Sequence, residues 1–331
     1  MTPFPIIVGE GRSGTTLLRA MFDSHPTMAI PEESEFLVPL GRARHSFERE
    51  GGFSTDAFLA DLCGHYGFRR WGMPSEVIER AFQARPPRCF PDAVHELYST
   101  WAARQGKTRY GDKTPHYVNH IGFLAAILPE ARFIHIIRDG RDVTLSYLER
   151  KFGPKNVAEG AYFWRRRVRG GRQSGRRLGP DRYRETRYED LVDDPEAVLR
   201  ELCGFIDLDF DGSMLRYFER AGSVAGSDPD HRHLYLPPTK GLRDWRRDMS
   251  RADILVFEAL AGDLLGALGY ELAAERIGPA VQVRADIHRL AIQGRRMRHH
   301  LRTSVRTGRR RARSDVTAAR PPGDQGSAGE A

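Results

Sequence analysis

The sequence predicts an α/β fold in which a mostly parallel sheet is flanked by helices, with a helical insertion at about residues 36–104 and a basic C-terminal helix. Apolar stretches at residues 4–8 and 132–138 have the length and composition of buried strands. Each is followed by a segment with apolar residues at helical spacing, the first by Leu17, Leu18, Met21 and Phe22. Strands that alternate with helices imply parallel pairing through right-handed crossovers.

The remaining elements follow in chain order. Residues 27–30 predict a second strand that ends in an acidic loop, and residues 109–115 predict a strand end and a loop. Apolar positions from 121 to 128 predict a helix that ends before Pro129. The later segments are predicted as a helix at 142–151, a strand at 182–188 and a helix at 194–204.

Composition describes a chain of 331 residues that can bury a core, since 40% of them are hydrophobic. No apolar run approaches the roughly 20 residues of a membrane span, and no basic segment precedes the first apolar stretch, so we expect no secretory signal. Cys63, Cys89 and Cys203 lie far apart and lack metal-ligand spacing. We therefore expect reduced thiols, a cytoplasmic location and no metal.

The positive charge is concentrated near the C-terminus. Between Arg284 and Arg313 there are eleven arginines, no lysine and one acid, so this segment carries +10 of a chain whose net charge is +8. The rest of the chain is nearly neutral. We expect a domain over residues 1–275, a basic amphipathic helix over 276–313 and a disordered tail over 314–331, which is rich in alanine, glycine and proline.

An apolar stripe follows one face of this basic helix, formed by Ile287, Leu290, Met297, Leu301 and Val305. Aliphatic residues beside arginines favour contact with an anionic membrane surface, at the inner face of the membrane, or with a partner helix. The segment has no tryptophan or tyrosine to stack on bases, which disfavours nucleic acid. The alternative is a packed helix with a solvated basic face.

Residues 9–16, GEGRSGTT, nearly reproduce the phosphate loop G-x-x-x-x-G-K-[ST] between a strand and a helix. Such a loop directs backbone N–H groups and the helix N-terminus at an anion, so Ser13, Gly14, Thr15 and Thr16 are candidate ligand contacts. Thr15 occupies the position of the lysine that binds nucleoside triphosphates, which disfavours a kinase that uses ATP. Arg12 is the cation within the loop. A glycine-rich turn without a ligand is the alternative.

Residues 11–17 resemble the 5′-phosphosulfate loop of the sulfotransferases that use 3′-phosphoadenylyl sulfate (PAPS). The longer run 12–36 is similar to their tyrosylprotein-sulfotransferase branch and its bacterial relatives, and the resemblance covers about residues 4–250. It implies a P-loop-like fold, PAPS as sulfonyl donor, PAP as product and an acceptor hydroxyl. The acceptor class stays open among peptide tyrosine, glycan, glycolipid and small alcohol.

A second anion site is implied at the end of the 132–138 strand. Arg138 and, two helical turns later, Ser146 resemble the pair of this family that holds the 3′-phosphate of PAPS. Arg138 could instead pair with Asp139 or Asp142. The family also places a tyrosine near the cofactor, which implies that role for Tyr188, and a core tyrosine is the alternative.

Residues 240–246, KGLRDWR, resemble the loop that closes over the adenosine and the 3′-phosphate. The spacing from lysine to tryptophan is one residue shorter than in the cytosolic enzymes of the family. Lys240 and Arg243 are therefore competing candidates for the same cofactor contact. A solvated basic loop is the alternative.

Sulfonyl transfer to a hydroxyl needs a base, a cation at the leaving oxygen and a fixed alignment of both. Glu33 lies 21 residues after Arg12, as the catalytic glutamate of the tyrosylprotein branch does, and Glu32 and Glu35 are its rivals. Lys113 resembles the family lysine at the bridging oxygen of PAPS. Together with Arg12 it is expected to stabilise charge on the sulfonyl and bridging oxygens.

Two neighbours of Lys113 complete the candidate set. His116 is a rival base, because the cytosolic branch uses a histidine just after such a lysine, although Pro115 shifts the spacing here. Asp112 is expected to orient Lys113.

Overall fold

The structure is a computed structural model that describes residues 2–150, 153–220, 234–237 and 243–318, with side chains up to residue 298 apart from residue 220. Lys240 and the part of the predicted tail beyond residue 318 lie outside the described residues.

The described strands are mostly short. They are β1 (Phe4–Gly9), β2 (Met28–Ala29), β3 (Glu48–Arg49), β4 (Gly52–Phe53), β5 (Arg109–Tyr110), β6 (Asp112–Lys113), β7 (Ala131–Ile137) and β8 (Tyr183–Arg187). Four of them form a parallel sheet in the order β6-β1-β7-β8, which confirms the predicted fold class. The predicted strand at 27–30 pairs with β5 in a separate two-stranded sheet and is not part of the main sheet.

Helices cover both faces of this sheet. They are α1 (Thr15–Asp23), α2 (Leu37–Ala43), α3 (Thr55–Gly64), α4 (Tyr66–Arg70), α5 (Ser75–Ala84), α6 (Phe90–Arg104), α7 (Ile121–Ile127), α8 (Gly140–Leu148), α9 (Val157–Arg176), α10 (Tyr188–Asp193), α11 (Pro195–Phe205), α12 (Trp245–Asp248), α13 (Arg251–Ala267) and α14 (Pro279–Ala318). Short 3₁₀ segments lie at Arg44–Ser46, Pro115–Asn119 and Gly212–Arg220.

Alternation along β1 and β7 divides the core between the two faces of the sheet. Phe4 and Ile6 of β1 pack with Phe133 of β7 and with the aromatic residues of α3, α5 and α6. Ile7 and Ile134 face the other way, toward α1 and α11. A third cluster joins α8, α9, α12 and α13.

The segment at residues 36–104 contains five helices and also the antiparallel hairpin β3–β4, which the sequence patterns did not predict. Each strand of the hairpin has only two residues, which is too short for an alternation of apolar and polar residues to be visible in the sequence. Phe58, Phe82 and Phe90 of this segment share one buried cluster with Phe4 of β1. The segment therefore forms a layer of the common core.

The C-terminal helix α14 begins at Pro279, a residue that suits the first position of a helix because it has no N–H to satisfy. The helix continues to Ala318, beyond the predicted end at Arg313, because no glycine or proline interrupts residues 314–318. None of the helices in the described ranges combines the length and hydropathy that crossing a bilayer requires.

A buried arginine ties the start of α8 to α13. Arg141 donates to Asp139 at 3.0 and 2.7 Å and to Glu258 at 2.8 Å, and it is fully buried. Its guanidinium lies 3.5 Å from the centre of the Trp245 ring. Arg141 thus positions the segment that follows Arg138.

We expect Arg141→Met to lower the free energy of unfolding by about 3–5 kcal/mol, because Asp139 and Glu258 would keep buried charges without their partner. Urea titration measures this change. The matched control is Arg200→Met, which removes an exposed pair with Glu196 and should cost less than about 1 kcal/mol. If the two variants lost the same free energy of unfolding, Arg141 would not have the structural role assigned to it.

Candidate active site

The carboxyl ends of the four parallel strands lie at one edge of the sheet, where open α/β sheets bind ligands. The glycine loop follows β1, Lys113 ends β6, Arg138 follows β7 and Tyr188 follows β8. Residue Ile7 of β1 is level with Lys113, and Gly9 is level with Ile136. This register brings candidates from distant parts of the sequence to one site.

The glycine loop turns tightly into α1. Ser13 N donates to Glu10 O at 3.2 Å, and both Arg12 (φ 70°) and Gly14 (φ 94°) have left-handed backbone. A Cβ at Gly14 would lie 2.4 Å from the Tyr188 ring, so this position requires glycine. Thr15 is buried and Thr16 is half-buried in the first turn of α1. The loop and the helix N-terminus together can hold an anion.

Glu10 holds the glycine loop in place through its carboxylate, a role that we did not predict. Its Oε1 accepts hydrogen bonds from Tyr147 Oη at 3.0 Å and from Arg167 Nη1 at 2.5 Å. Burial raises the pKa of Glu10, although Arg167 and Tyr147 oppose the shift. The sequence could have indicated this role, because an acid inside an anion-binding loop would repel the ligand unless cations paired with it.

The loop contacts the second predicted anion site directly. Arg12 Nε donates to Ser146 Oγ at 3.0 Å, and Arg138 Nη1 donates to the carbonyl oxygen of Arg12 at 3.4 Å. The Arg138 guanidinium lies 4.5 Å from the centre of the Tyr188 ring. The structure therefore brings Arg12, Arg138, Ser146 and Tyr188 together, with the Arg12 side chain directed toward α8.

Arg138 is held in place by Trp164, which the sequence patterns did not identify, and by Asp142, which they offered as a partner. Trp164 Nε1 donates to Arg138 O at 3.0 Å, and Asp142 lies 3.9 Å from the guanidinium. Asp142 also accepts from Trp245 N at 2.9 Å, which links it to the predicted 240–246 loop. Burial raises the pKa of Asp142 to about 6, against the effect of Arg138.

Three buried polar atoms at this site have no hydrogen-bond partner within the part of the chain that the structure describes. One is the acceptor Glu10 Oε2, and the others are the donors Ser13 Oγ in the loop and Arg138 Nε beside it. Since buried polar groups are nearly always satisfied, both donors fit contacts to a ligand. An anion would suit the guanidinium and the hydroxyl equally well.

Of the two competing basic residues in the 240–246 segment, the structure describes Arg243. Its Nε donates to Glu149 Oε1 at 3.1 Å, at the C-terminal end of the helix that carries Ser146. Arg243 therefore lies at the C-terminal end of α8, and Lys240 falls outside the described residues.

Glu33 and Lys113 form a close ion pair on the β6 side of the loop. Lys113 Nζ donates to Glu33 Oε1 at 2.6 Å, and the side chains are 3% and 27% exposed. Burial lowers the pKa of Lys113. Burial alone would raise the pKa of Glu33, but the Lys113 charge and its hydrogen bond outweigh that effect, so the pKa is lowered.

The other acids of the 32–35 loop have different partners. Glu32 and Glu35 lie 3.0 and 3.8 Å from Arg70, away from Lys113. His116 is exposed, with its ring packed edge-on against Tyr117. Among the predicted bases, Glu33 is thus the one that contacts the predicted cation.

The expectation that Asp112 orients Lys113 is wrong. Asp112 is fully buried and accepts a hydrogen bond from Tyr98 Oη at 2.6 Å. Adjacent residues of a strand point to opposite faces of the sheet, so Asp112 affects Lys113 through its charge and not through a direct contact.

Comparisons with known proteins agree with this geometry. The family model described as "Sulfotransferase family" matches residues 3–212. The chain is 26% identical over 230 residues to protein-tyrosine sulfotransferase 1 of Danio rerio, a match that covers 68% of this chain and 58% of that protein. It is 30% identical over 254 residues to an uncharacterized protein of Aquifex aeolicus (strain VF5). That match covers 73% of this chain and 30% of that protein.

Among solved structures, the sulfotransferase domain of the Synechococcus PCC 7002 olefin synthase is similar, with a TM-score of 0.57 and 28% identity. The match covers 82% of this chain and 95% of that domain. The chain spans only 40–58% of the length of three animal protein-tyrosine sulfotransferases that it matches. Because the matching family model spans more than half of the chain, the chain belongs to the sulfotransferase family.

Proposed function

We propose that this chain moves the sulfonyl group of PAPS to an acceptor hydroxyl and releases PAP. The observation that carries the proposal is the contact between Glu33 and Lys113 beside a glycine loop. That contact places a carboxylate base and a cation next to an anion site, as attack of a hydroxyl on sulfur requires. A likeness to characterised sulfotransferases supports the same reaction.

Each side chain has a distinct task in this proposal. Glu33 accepts the proton of the acceptor hydroxyl while the acceptor oxygen bonds to sulfur. As the bond from sulfur to the bridging oxygen breaks, the bond's electron pair leaves with that oxygen, and the Lys113 ammonium balances its charge. PAPS supplies the sulfonyl group.

The loop and the second anion site hold the two ends of the cofactor. Backbone N–H groups at Gly14 and Thr15, with the Ser13, Thr15 and Thr16 hydroxyls, would bind the 5′-phosphosulfate. The 3′-phosphate would lie against a set of polar and aromatic side chains, namely Arg138, Ser146, Tyr188 and Arg243. We propose that Arg12, which bonds Ser146, joins the two sites.

The acceptor and the setting are also proposals. Similarity to protein-tyrosine sulfotransferases makes peptide tyrosine the first acceptor to test, ahead of glycans, glycolipids and small alcohols. We propose a catalytic domain over residues 1–275 and a cytoplasmic location, at the inner membrane face if α14 contacts lipid. A kinase that uses ATP is the competing enzyme class, and Thr15 in place of lysine argues against it.

We expect PAP to raise the melting temperature of the purified chain, because a ligand that binds only the native state stabilises it. ATP with Mg²⁺ at the same concentration should give a much smaller rise. Differential scanning fluorimetry measures both. A rise with ATP and Mg²⁺ alone would favour the kinase, and no rise with millimolar PAP would refute the cofactor assignment.

Glu33→Gln should reduce turnover by at least about 100-fold, the typical contribution of a general base, while PAP still raises the melting temperature. A radiolabelled PAPS assay with an accepted substrate measures turnover. The matched controls are Glu32→Gln and His116→Gln, which should stay within a few-fold of the original rate. If His116→Gln lost activity instead, the base would be the histidine.

The pH dependence of kcat/KM distinguishes the same two bases without a mutation. The lowered pKa of Glu33 keeps the carboxylate charged, so activity should persist as pH falls and be lost only below about 4.5. An acid limb near neutral pH would instead indicate a base other than this carboxylate. Because burial lowers the pKa of Lys113, activity should fall on the alkaline side before pH 10.5.

A further inference from the structure

Helix α14 exposes a continuous apolar stripe. Val283, Ile287, Leu290 and Met297 are 60–68% exposed, and their spacing of four, three and seven residues places them on one line along the helix. Large aliphatic side chains exposed in a row are unusual on a water-soluble surface and mark an interaction site. Sulfotransfer does not account for this stripe.

The opposite side of α14 is packed against the domain. Ala285 and Ile292 are buried, and Arg295 bonds Glu159 of α9 at 2.7 Å. The Arg296 guanidinium lies 5.8 Å from the centre of the Phe163 ring. These contacts hold the helix on the body with its apolar stripe facing outward.

Positive charge lies on both flanks of the stripe. Arg284 and Arg298 are exposed along one flank. Beyond Gln293 on the other flank, a groove of about 320 Å³ between α9, α13 and α14 is lined by four arginines, namely Arg165, Arg166, Arg169 and Arg289. Asp263 lies 2.7 Å from Arg165 and 4.0 Å from Arg169, so it offsets part of this charge. Asp286, the one acid between residues 284 and 313, pairs with Arg289 at 3.1 Å.

We propose that this face, defined as the α14 stripe with its flanking arginines and the α9 groove, docks on an anionic lipid bilayer. The aliphatic side chains enter the boundary between headgroups and acyl chains, and the arginines contact lipid phosphates. The proposal is independent of the sulfotransfer reaction.

The arginines and the apolar side chains of this face together favour a lipid bilayer over other binding partners. A second copy of the chain would bring Arg284 and Arg298 near identical arginines, which repel. Nucleic acid would satisfy the arginines but leave Ile287 and Leu290 in water, because it offers no aliphatic surface. A bilayer of acidic phospholipids offers phosphates to the arginines and acyl chains to the aliphatic side chains.

Vesicle flotation with the full chain tests the proposal. The chain should float with vesicles of equal parts phosphatidylcholine and phosphatidylglycerol, should stay behind with phosphatidylcholine alone, and should be released by high salt. Arg284→Gln/Arg298→Gln should weaken binding by about 30-fold, equivalent to roughly 1 kcal/mol per arginine near an anionic bilayer. Ile287→Gln/Leu290→Gln should weaken it by at least about 10-fold.

The matched control for charge is Arg80→Gln/Arg104→Gln, which removes two exposed arginines from helices α5 and α6 and should leave binding unchanged. The melting temperature without ligand, measured in every variant, checks that each one is folded. Equal binding to neutral vesicles, no binding to anionic ones, or loss of binding in the control would overturn the proposal. So would α14-dependent dimers or nucleic-acid complexes that form while anionic vesicles fail to compete.

Discussion

The site depends on the parallel pairing of β1 with both of its neighbours. Ile7 is level with Lys113 on one side, and Gly9 is level with Ile136 on the other. A shift of one residue would turn Lys113 to the opposite face and remove it from Glu33. The buried alternation of β1 and β7, which places Phe4 and Ile7 on opposite faces, opposes such a shift because apolar side chains would exchange faces.

Groups of the chain itself hold the cations at this site. Lys113 contacts Glu33, Arg12 contacts Ser146, and Arg138 lies over the Tyr188 ring. Glu10 in turn holds the loop through Tyr147 and Arg167. Electrostatic stabilisation is most effective when charged groups are fixed in this way, because they need little reorganisation.

The C-terminal helix has a different physical character from the rest of the chain. The domain is nearly neutral and exposes large apolar residues only at scattered described positions, whereas α14 concentrates arginines and exposes Ile287, Leu290 and Met297 along one line. Its contacts with α9 join a surface suited to lipid to a domain suited to sulfonyl transfer. The proposed catalysis and the proposed membrane attachment should therefore respond to separate substitutions.

The sequence by itself determined the fold class and the glycine loop, because local periodicity and a short motif carry that information. The resemblance to the sulfotransferases that use PAPS supplied the candidates Glu33, Lys113 and Arg138. Only the tertiary structure shows that Glu33 contacts Lys113 while Glu32 and Glu35 lie near Arg70, since these contacts join positions up to 80 residues apart. It likewise shows that Glu10 holds the glycine loop and that Asp112 accepts a hydrogen bond from Tyr98. It also shows that the apolar stripe of α14 is exposed. Packing between distant elements decides each of these, and no local pattern encodes it.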